Sequence, residues 1–184
     1  MTEACKTALL VIDVQDSFKQ RDYWDLAEFT PYAEKQNQLI AAARGQGWPV
    51  VFILHNEDSG PFSPASGFVR LMDFVDQQPG DPLFNKHVHN ALLESGLHEW
   101  LQQQGIGKLV ISGIRTEQCC ETTTRVGSDL GYEVEFVLDA TLTFPMQHPL
   151  SGDIVSAAEI RSRTALVLNK RFATIRFTEE YLQG

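Results

Sequence analysis

PVVFILH (49–55) is a strand-length run with almost no polar alternation, and it constrains the fold of this chain more than any other stretch. A strand that is apolar on both sides must be covered on both faces, which is the situation of a parallel strand inside an α/β sheet. TALLVID (7–13), KLVISGI (108–114) and EVEFVLDA (133–140) also read as strands. Helical spacings lie between them. PYAEKQNQLIAAARGQG (31–47) spaces Leu39, Ile40 and Ala43 and ends at glycine, and NALLESGLHEWLQQQG (90–105) spaces Ala91, Leu92, Leu97, Trp100 and Leu101. CETTTRVGSDLGY forms a further helix closed by Gly131, residues 151 to 170 read as mainly helix, and ATIRF (173–177) as the last strand. The Pro-, Gly-, Ser- and Asp-rich segment from Asn56 to Asn85 is predicted to hold one short helix around FVRLMDFV (68–75); loops this long are usually functional. Strands alternating with helices imply right-handed crossovers and a parallel, doubly wound sheet, in one domain over residues 1–184.

In such a sheet, ligands bind beyond the carboxyl ends of the strands. That rule points to Asp13, His55, the IRTEQCC segment and Asp139, each taken as standing at a strand end. The formal net charge is −9 and no run of Lys or Arg occurs, so the electrostatic footprint of a nucleic-acid or anionic-membrane binder is missing. Nor does any apolar run approach the roughly 20 residues that cross a bilayer. The expected partner is a small molecule, and the expected compartment is the cytoplasm. Nothing like GxGxxG follows a strand and GxxxxGK[ST] does not occur, so no nucleotide cofactor is expected.

The cysteines raise the chemical question. Three of them, Cys5 and the adjacent Cys119 and Cys120, cannot build a disulfide framework. If Thr116 caps the helix that follows, Cys119 falls in its first turn, where free N–H groups and the helix dipole favour a thiolate. Cys120 lies about 100° further round the helix and faces inward. The same residues also suit two small buried thiols, and position alone does not choose between a nucleophile and packing.

VIDVQDSF (11–18) resembles the DxQxxF opening of the isochorismatase-like cysteine hydrolases. GIRTEQCCETTTRVGSDLGY (113–132) resembles that family's GxxTxxCxxxT segment, and FNK (84–86) sits where the family keeps a lysine, expected just before a helix. The resemblance implies a three-layer α/β/α, Rossmann-like fold with a six-stranded parallel sheet. It also implies a triad of Asp13, Lys86 and Cys119. Asp13 takes the thiol proton, Lys86 stabilises both anions, and Cys119 attacks a carbonyl carbon. Backbone N–H groups of Cys119 and Arg115 supply the oxyanion donors, with Ile114–Arg115 the candidate cis bond. Gln15, Phe18, Phe62 and Phe144, with Trp24, are taken as pocket residues. A homo-oligomer, dimer or tetramer, is implied in the same way.

Each residue has a plainer reading too. Asp13 suits a turn cap, Lys86 a solvated surface, Phe18 the core, and Thr123 helix packing or a local backbone bond. Family nicotinamidases hold a metal with DxH and a further histidine after the second strand, whereas LHNEDSGPFSP here has one histidine. No metal is therefore expected, and His55, Glu57 and Asp58 read as a solvated loop. His87 and His89 alternate just after Lys86 and read as flanking the pocket without making a ligand set. Val126-Gly127 stands where the family often has Asp-Ala. Three functions follow. The favoured one is an amidohydrolase acting on a small amide or carbamoyl compound through a thioester. The second is a vinyl-ether hydrolase using Asp13 as acid. The third, disfavoured because adjacent cysteines close only a strained disulfide, is a binding or thiol-redox protein.

Overall fold

The computed structural model describes residues 6–182, so Cys5 lies outside the described residues. Among them a parallel sheet of six strands is built from β1 (Lys6–Ile12), β2 (Val50–His55), β3 (Leu83–Lys86), β4 (Ile106–Ile114), β5 (Glu133–Leu142) and β8 (Thr174–Arg176). Its order is β3-β2-β1-β4-β5-β8, so the winding reverses between β1 and β4. A short antiparallel hairpin, β6 (Met146–Gln147) with β7 (Ile154–Val155), stands apart from the sheet.

The apolar runs are covered on both faces, which is why they do not alternate. Leu9 and Val11 of β1 pack with Tyr32, Leu39, Ile40 and Ala43 of α1 (Leu26–Gly45). Ala8, Leu10 and Ile12 point the other way, toward Leu97 and Leu101 of α2 (Leu97–Gln103), the Cys119–Cys120 turn and Leu168 of α4 (Ala157–Leu168). With α3 (Glu121–Asp129) on that second face, the architecture is three layers, α/β/α. Gly131 at φ 90° ends α3 as its sequence suggests.

Four local expectations change. Residues 68–75 are not helical. Instead Met72 N–H donates to the Val14 carbonyl at 3.0 Å and Asp16 N–H to the Arg70 carbonyl at 3.0 Å, so the segment is strapped along the end of β1. Residues 90–96 form turns, because Asn90 Oδ1 accepts from Leu92 N–H at 2.9 Å and Gly96 adopts φ 80°, which leaves α2 as a seven-residue helix. LFNK is a strand rather than a helix lead-in, with three of its four side chains at least partly exposed. Asp139 lies inside β5, which continues to Leu142, and its carboxylate accepts from Thr178 N–H at 2.8 Å.

Candidate active site

The site forms where the winding reverses, the position at which open α/β sheets bind ligands. β1 delivers Asp13, whose φ of 54° turns the chain away from the strand direction just past Ile12. β4 delivers the cysteine turn. Gly113, in register with Ile12, has φ 123°, and a Cβ there would lie 2.0 Å from the Ile12 carbonyl oxygen. Only glycine lets the two strand ends approach this closely. The Ile114–Arg115 peptide is cis, and residues Thr116–Cys120 form a π-helical turn leading directly into α3. Arg115, not Thr116, therefore precedes the first turn. The Thr116 hydroxyl instead donates to Thr141 Oγ1 at 2.9 Å.

Lys86 arrives from the sheet edge. It ends β3 in register with His55, and its side chain reaches past the end of β2 to Asp13, two strands away. Its Nζ lies 2.8 Å from Asp13 Oδ2, 3.4 Å from Cys119 Sγ and 3.1 Å from His55 Nδ1. Asp13 and Lys86 are fully buried and Cys119 is nearly so, so the solvated-surface reading of Lys86 does not hold. Asp13 Oδ1 has no hydrogen-bond partner among the described residues, so one carboxylate oxygen is free to accept a proton. Gln15 supports the arrangement from behind. Its Oε1 accepts from His55 N–H at 2.7 Å, and its Nε2 donates to the His55 carbonyl at 3.0 Å and to Ser17 Oγ at 2.9 Å.

The electrostatics differ from the helix-start expectation. Burial pushes the Asp13 carboxyl up against the opposing pull of Lys86. Burial and the Asp13 carboxylate push the Cys119 thiol well up, more than Lys86 draws it down. Burial pulls Lys86 down, but Asp13 and Cys119 outweigh it and leave the ammonium favoured. Burial and the neighbouring carboxylate therefore favour a protonated thiol beside the Asp13–Lys86 pair, against the thiolate that the helix start favours. His55 is lowered to about 4 by burial and by Lys86, so it is neutral and accepts from the ammonium through Nδ1.

A cavity of about 100 Å³ opens onto this cluster, lined by Asp13, Cys119, His55, His89 and Gln118 together with Phe18, Phe62, Tyr23, Arg21 and Glu57. Of the pocket residues expected from sequence, Phe18 and Phe62 line it, packed edge-to-face at 4.9 Å. Gln15, Phe144 and Trp24 stand one layer back. Phe144 is fully buried and packs against Tyr23, Trp24 and the Arg115 guanidinium. Arg21, Tyr23 and Gln118 carry no sequence signal beyond their nearness to Phe18 and Cys119. Arg115 is also more than a backbone donor: its buried guanidinium stacks 5.0 Å over Tyr23 and pairs with Glu117 at 3.0 Å. Cys120 is fully buried with its thiol 3.7 Å from the Ser112 carbonyl, facing away from the cavity. Thr123 makes neither a local bond nor mere packing; its Oγ1 accepts from Ala91 N–H at 3.0 Å and ties α3 to the turn before α2.

A larger surface depression, of about 970 Å³, lies at the opposite end of the strands between Trp48 and Trp100. It contains no cysteine and none of the buried cluster, so its size does not make it the site of chemistry. Among the described residues, no group of three His, Cys, Asp or Glu side chains is arranged to hold a metal ion, and no helix is long and apolar enough to cross a membrane.

Comparison with known proteins agrees with this geometry. Residues 7–163 match the model of the isochorismatase domain. The isochorismatase family protein YrdC of Bacillus subtilis, itself uncharacterised, is 28% identical over 96% of this chain and 95% of its own length. The ureidoacrylate amidohydrolase RutB of Stutzerimonas stutzeri is 33% identical, covering 76% of this chain and 71% of that protein. Nicotinamidase 3 of Arabidopsis thaliana is 30% identical over 74% of this chain and 73% of its own. Among solved structures, a candidate isochorismatase hydrolase from Oleispira antarctica superposes with a TM-score of 0.87, 32% identity and full coverage of both chains. With its parallel sheet, its cysteine turn at the reversal of winding and this match over most of its length, the chain belongs to the isochorismatase family of hydrolases.

Proposed function

We propose that the protein cleaves the C–N bond of a small amide or carbamoyl compound through a Cys119 thioester, with Asp13, Lys86 and Cys119 as the triad. The observation that carries this reading is the position of Lys86 Nζ, 2.8 Å from Asp13 and 3.4 Å from the Cys119 sulfur, behind a cavity that Asp13 and Cys119 line. Because burial disfavours the thiolate, deprotonation accompanies attack. The S–H proton passes to Asp13 as sulfur bonds the carbonyl carbon, so the negative charge moves from the carboxylate to the former carbonyl oxygen, and the Lys86 ammonium offsets the partial charge that sulfur carries during the transfer. Net charge in the buried cluster stays constant, so no isolated ion is created in a dry site. The oxyanion that develops is stabilised by the backbone N–H groups of Arg115 and Cys119. Collapse breaks the C–N bond, and Asp13 returns its proton to the leaving nitrogen. Water, deprotonated by Asp13, then cleaves the thioester to give the acid and the free thiol.

The amidohydrolase names of the ureidoacrylate and nicotinamide relatives support C–N cleavage over other family chemistry. A second reading, vinyl-ether hydrolysis, draws on one observation: a carboxyl raised by burial, as Asp13 is, suits a general acid. Ammonia release from a panel of small amides, ureido and carbamoyl compounds separates the two. Under the amide reading Cys119→Ala abolishes release and Cys120→Ala keeps most of it. No ammonia from the panel, with vinyl-ether cleavage that survives Cys119→Ala and vanishes in Asp13→Ala, moves the assignment to the vinyl-ether chemistry.

A further inference from the structure

Arg21 lines the same 100 Å³ cavity as Asp13 and Cys119. Its guanidinium carbon sits 5.0 Å over the Phe62 ring, which Phe18 meets edge-on at 4.9 Å, so the cation rests on a built aromatic surface. Its nearest carboxylate oxygen, Glu57 Oε2, is 3.8 Å away, outside hydrogen-bond range. Among the described residues the Arg21 guanidinium makes no hydrogen bond. Other arginines behave differently. Arg44 forks onto Asp81 at 3.1 and 2.7 Å, Arg125 holds Glu121 at 3.1 and 2.9 Å, and Arg70 meets Asp16 at 2.6 Å. A guanidinium's planar fork of donors matches a carboxylate in two-point contact, and here that fork makes no hydrogen bond in the cavity that Asp13 and Cys119 also line.

We propose that Arg21 sets specificity by binding a carboxylate of the substrate, so that the protein selects small amides bearing an acid group a few bonds from the scissile carbonyl. This rests on the amidohydrolase reading above and narrows its substrate class. The cavity volume restricts the molecule to a compact one. Asp13 and Lys86 neutralise each other at 2.8 Å, which leaves Arg21 as the cationic side chain lining the cavity that a bound anion can reach. Glu57 opposes the anion. Its side chain is 46% exposed, so it has solvent to turn into when a ligand carboxylate takes its place.

The test is alkylation of Cys119 by iodoacetate and iodoacetamide, which differ only in carrying a carboxylate or an amide. In both reactions the sulfur displaces iodide, forms one S–C bond and loses its proton. Rates are read at Cys119 by peptide mass spectrometry for the wild type, Arg21→Gln, Arg21→Lys and Glu57→Gln. The iodoacetate-to-iodoacetamide rate ratio is expected to fall about tenfold in Arg21→Gln, to recover in part in Arg21→Lys, and to rise several-fold in Glu57→Gln. Ratios within about twofold of wild type in both Arg21→Gln and Glu57→Gln would overturn the proposal. Calorimetry on Cys119→Ala gives an independent reading: malonamate should bind about tenfold more tightly than malonamide, and equal binding also overturns it. Neither measurement depends on turnover, so a failure of the amide reading shows separately, as absence of ammonia release.

Discussion

Replacing Lys86 with methionine keeps a long flexible side chain but removes the ammonium that faces Asp13 and also contacts His55 and Cys119. At 2.8 Å the pair is worth roughly 6 kcal/mol of Coulomb energy at an effective dielectric constant of about 20. Both partners are fully buried, so removing one leaves an uncompensated carboxylate, and the expected loss of stability is about 3–5 kcal/mol at neutral pH. The pH dependence has a definite sign. Burial already raises the folded Asp13 carboxyl, and without Lys86, its first opposing influence, it rises further. The folded chain then keeps a proton that the unfolded chain releases, so the deficit is small near pH 4 and grows as pH rises until the folded carboxyl ionises. Asp13 held neutral cannot take the thiol proton, and hydrolysis should fall by at least about 10³-fold. Urea unfolding at pH 4.5 and 7.5 measures the first effect and ammonia release the second. The double variant Asp13→Asn with Lys86→Met should recover about 2 kcal/mol, because it no longer buries an unpaired charge. A Lys86→Met protein within about 1 kcal/mol of wild type at pH 7.5, or a double variant no more stable than the single one, would refute this electrostatic reasoning.

Other positions give sharp outcomes. Gly113→Ala adds one methyl group where the backbone is at φ 123° and the Ile12 carbonyl oxygen is 2.0 Å from the new atom; loss of at least about 3 kcal/mol or of soluble protein is expected by thermal unfolding. Gln15→Leu is near in size but strips both His55 backbone groups of partners, and should cost about 2–4 kcal/mol together with a loss of kcat. His55, neutral in the fold down to about pH 4, makes the unfolded state the stronger proton binder between about 4 and 6.5. Stability should therefore rise with pH across that window by about 1–2 kcal/mol after discounting for partial burial, and His55→Gln should flatten the rise in calorimetric scans.

What the sequence reveals follows from which forces act locally. Continuous apolar strands and the glycine-closed helices α1 and α3 announce themselves because burial on both faces leaves no room for polar residues. β3 does not, because an edge strand with exposed Leu83 and Asn85 carries no apolar run, and only its last side chain is buried. The segments 68–75 and 90–96 have helical spacing but are held by hydrogen bonds to the end of β1 and by an Asn90 turn, which periodicity cannot register. Asp13 and the Cys119 turn are legible at strand ends, whereas Lys86 enters only through the family resemblance, which implies the triad. The residues by themselves do not show that convergence, since it depends on the sheet order that brings β3, β1 and β4 to one rim. For Cys119, helix position favours a thiolate, whereas burial and the Asp13 charge, which come from tertiary neighbours, push the thiol the other way. The Arg115 stack on Tyr23, the His55 contact with Lys86 and the free fork of Arg21 arise from loops that meet only in the folded chain.

The role assigned to Cys119 is tested most directly by rapid acid quench of the protein turning over an amide from the panel, followed by peptide mass spectrometry. An acyl group on the peptide holding Cys119 and Cys120, present in Cys120→Ala and missing in Cys119→Ala, is the expected result. Undiminished turnover in Cys119→Ala, with no acyl adduct in the wild type, would contradict it.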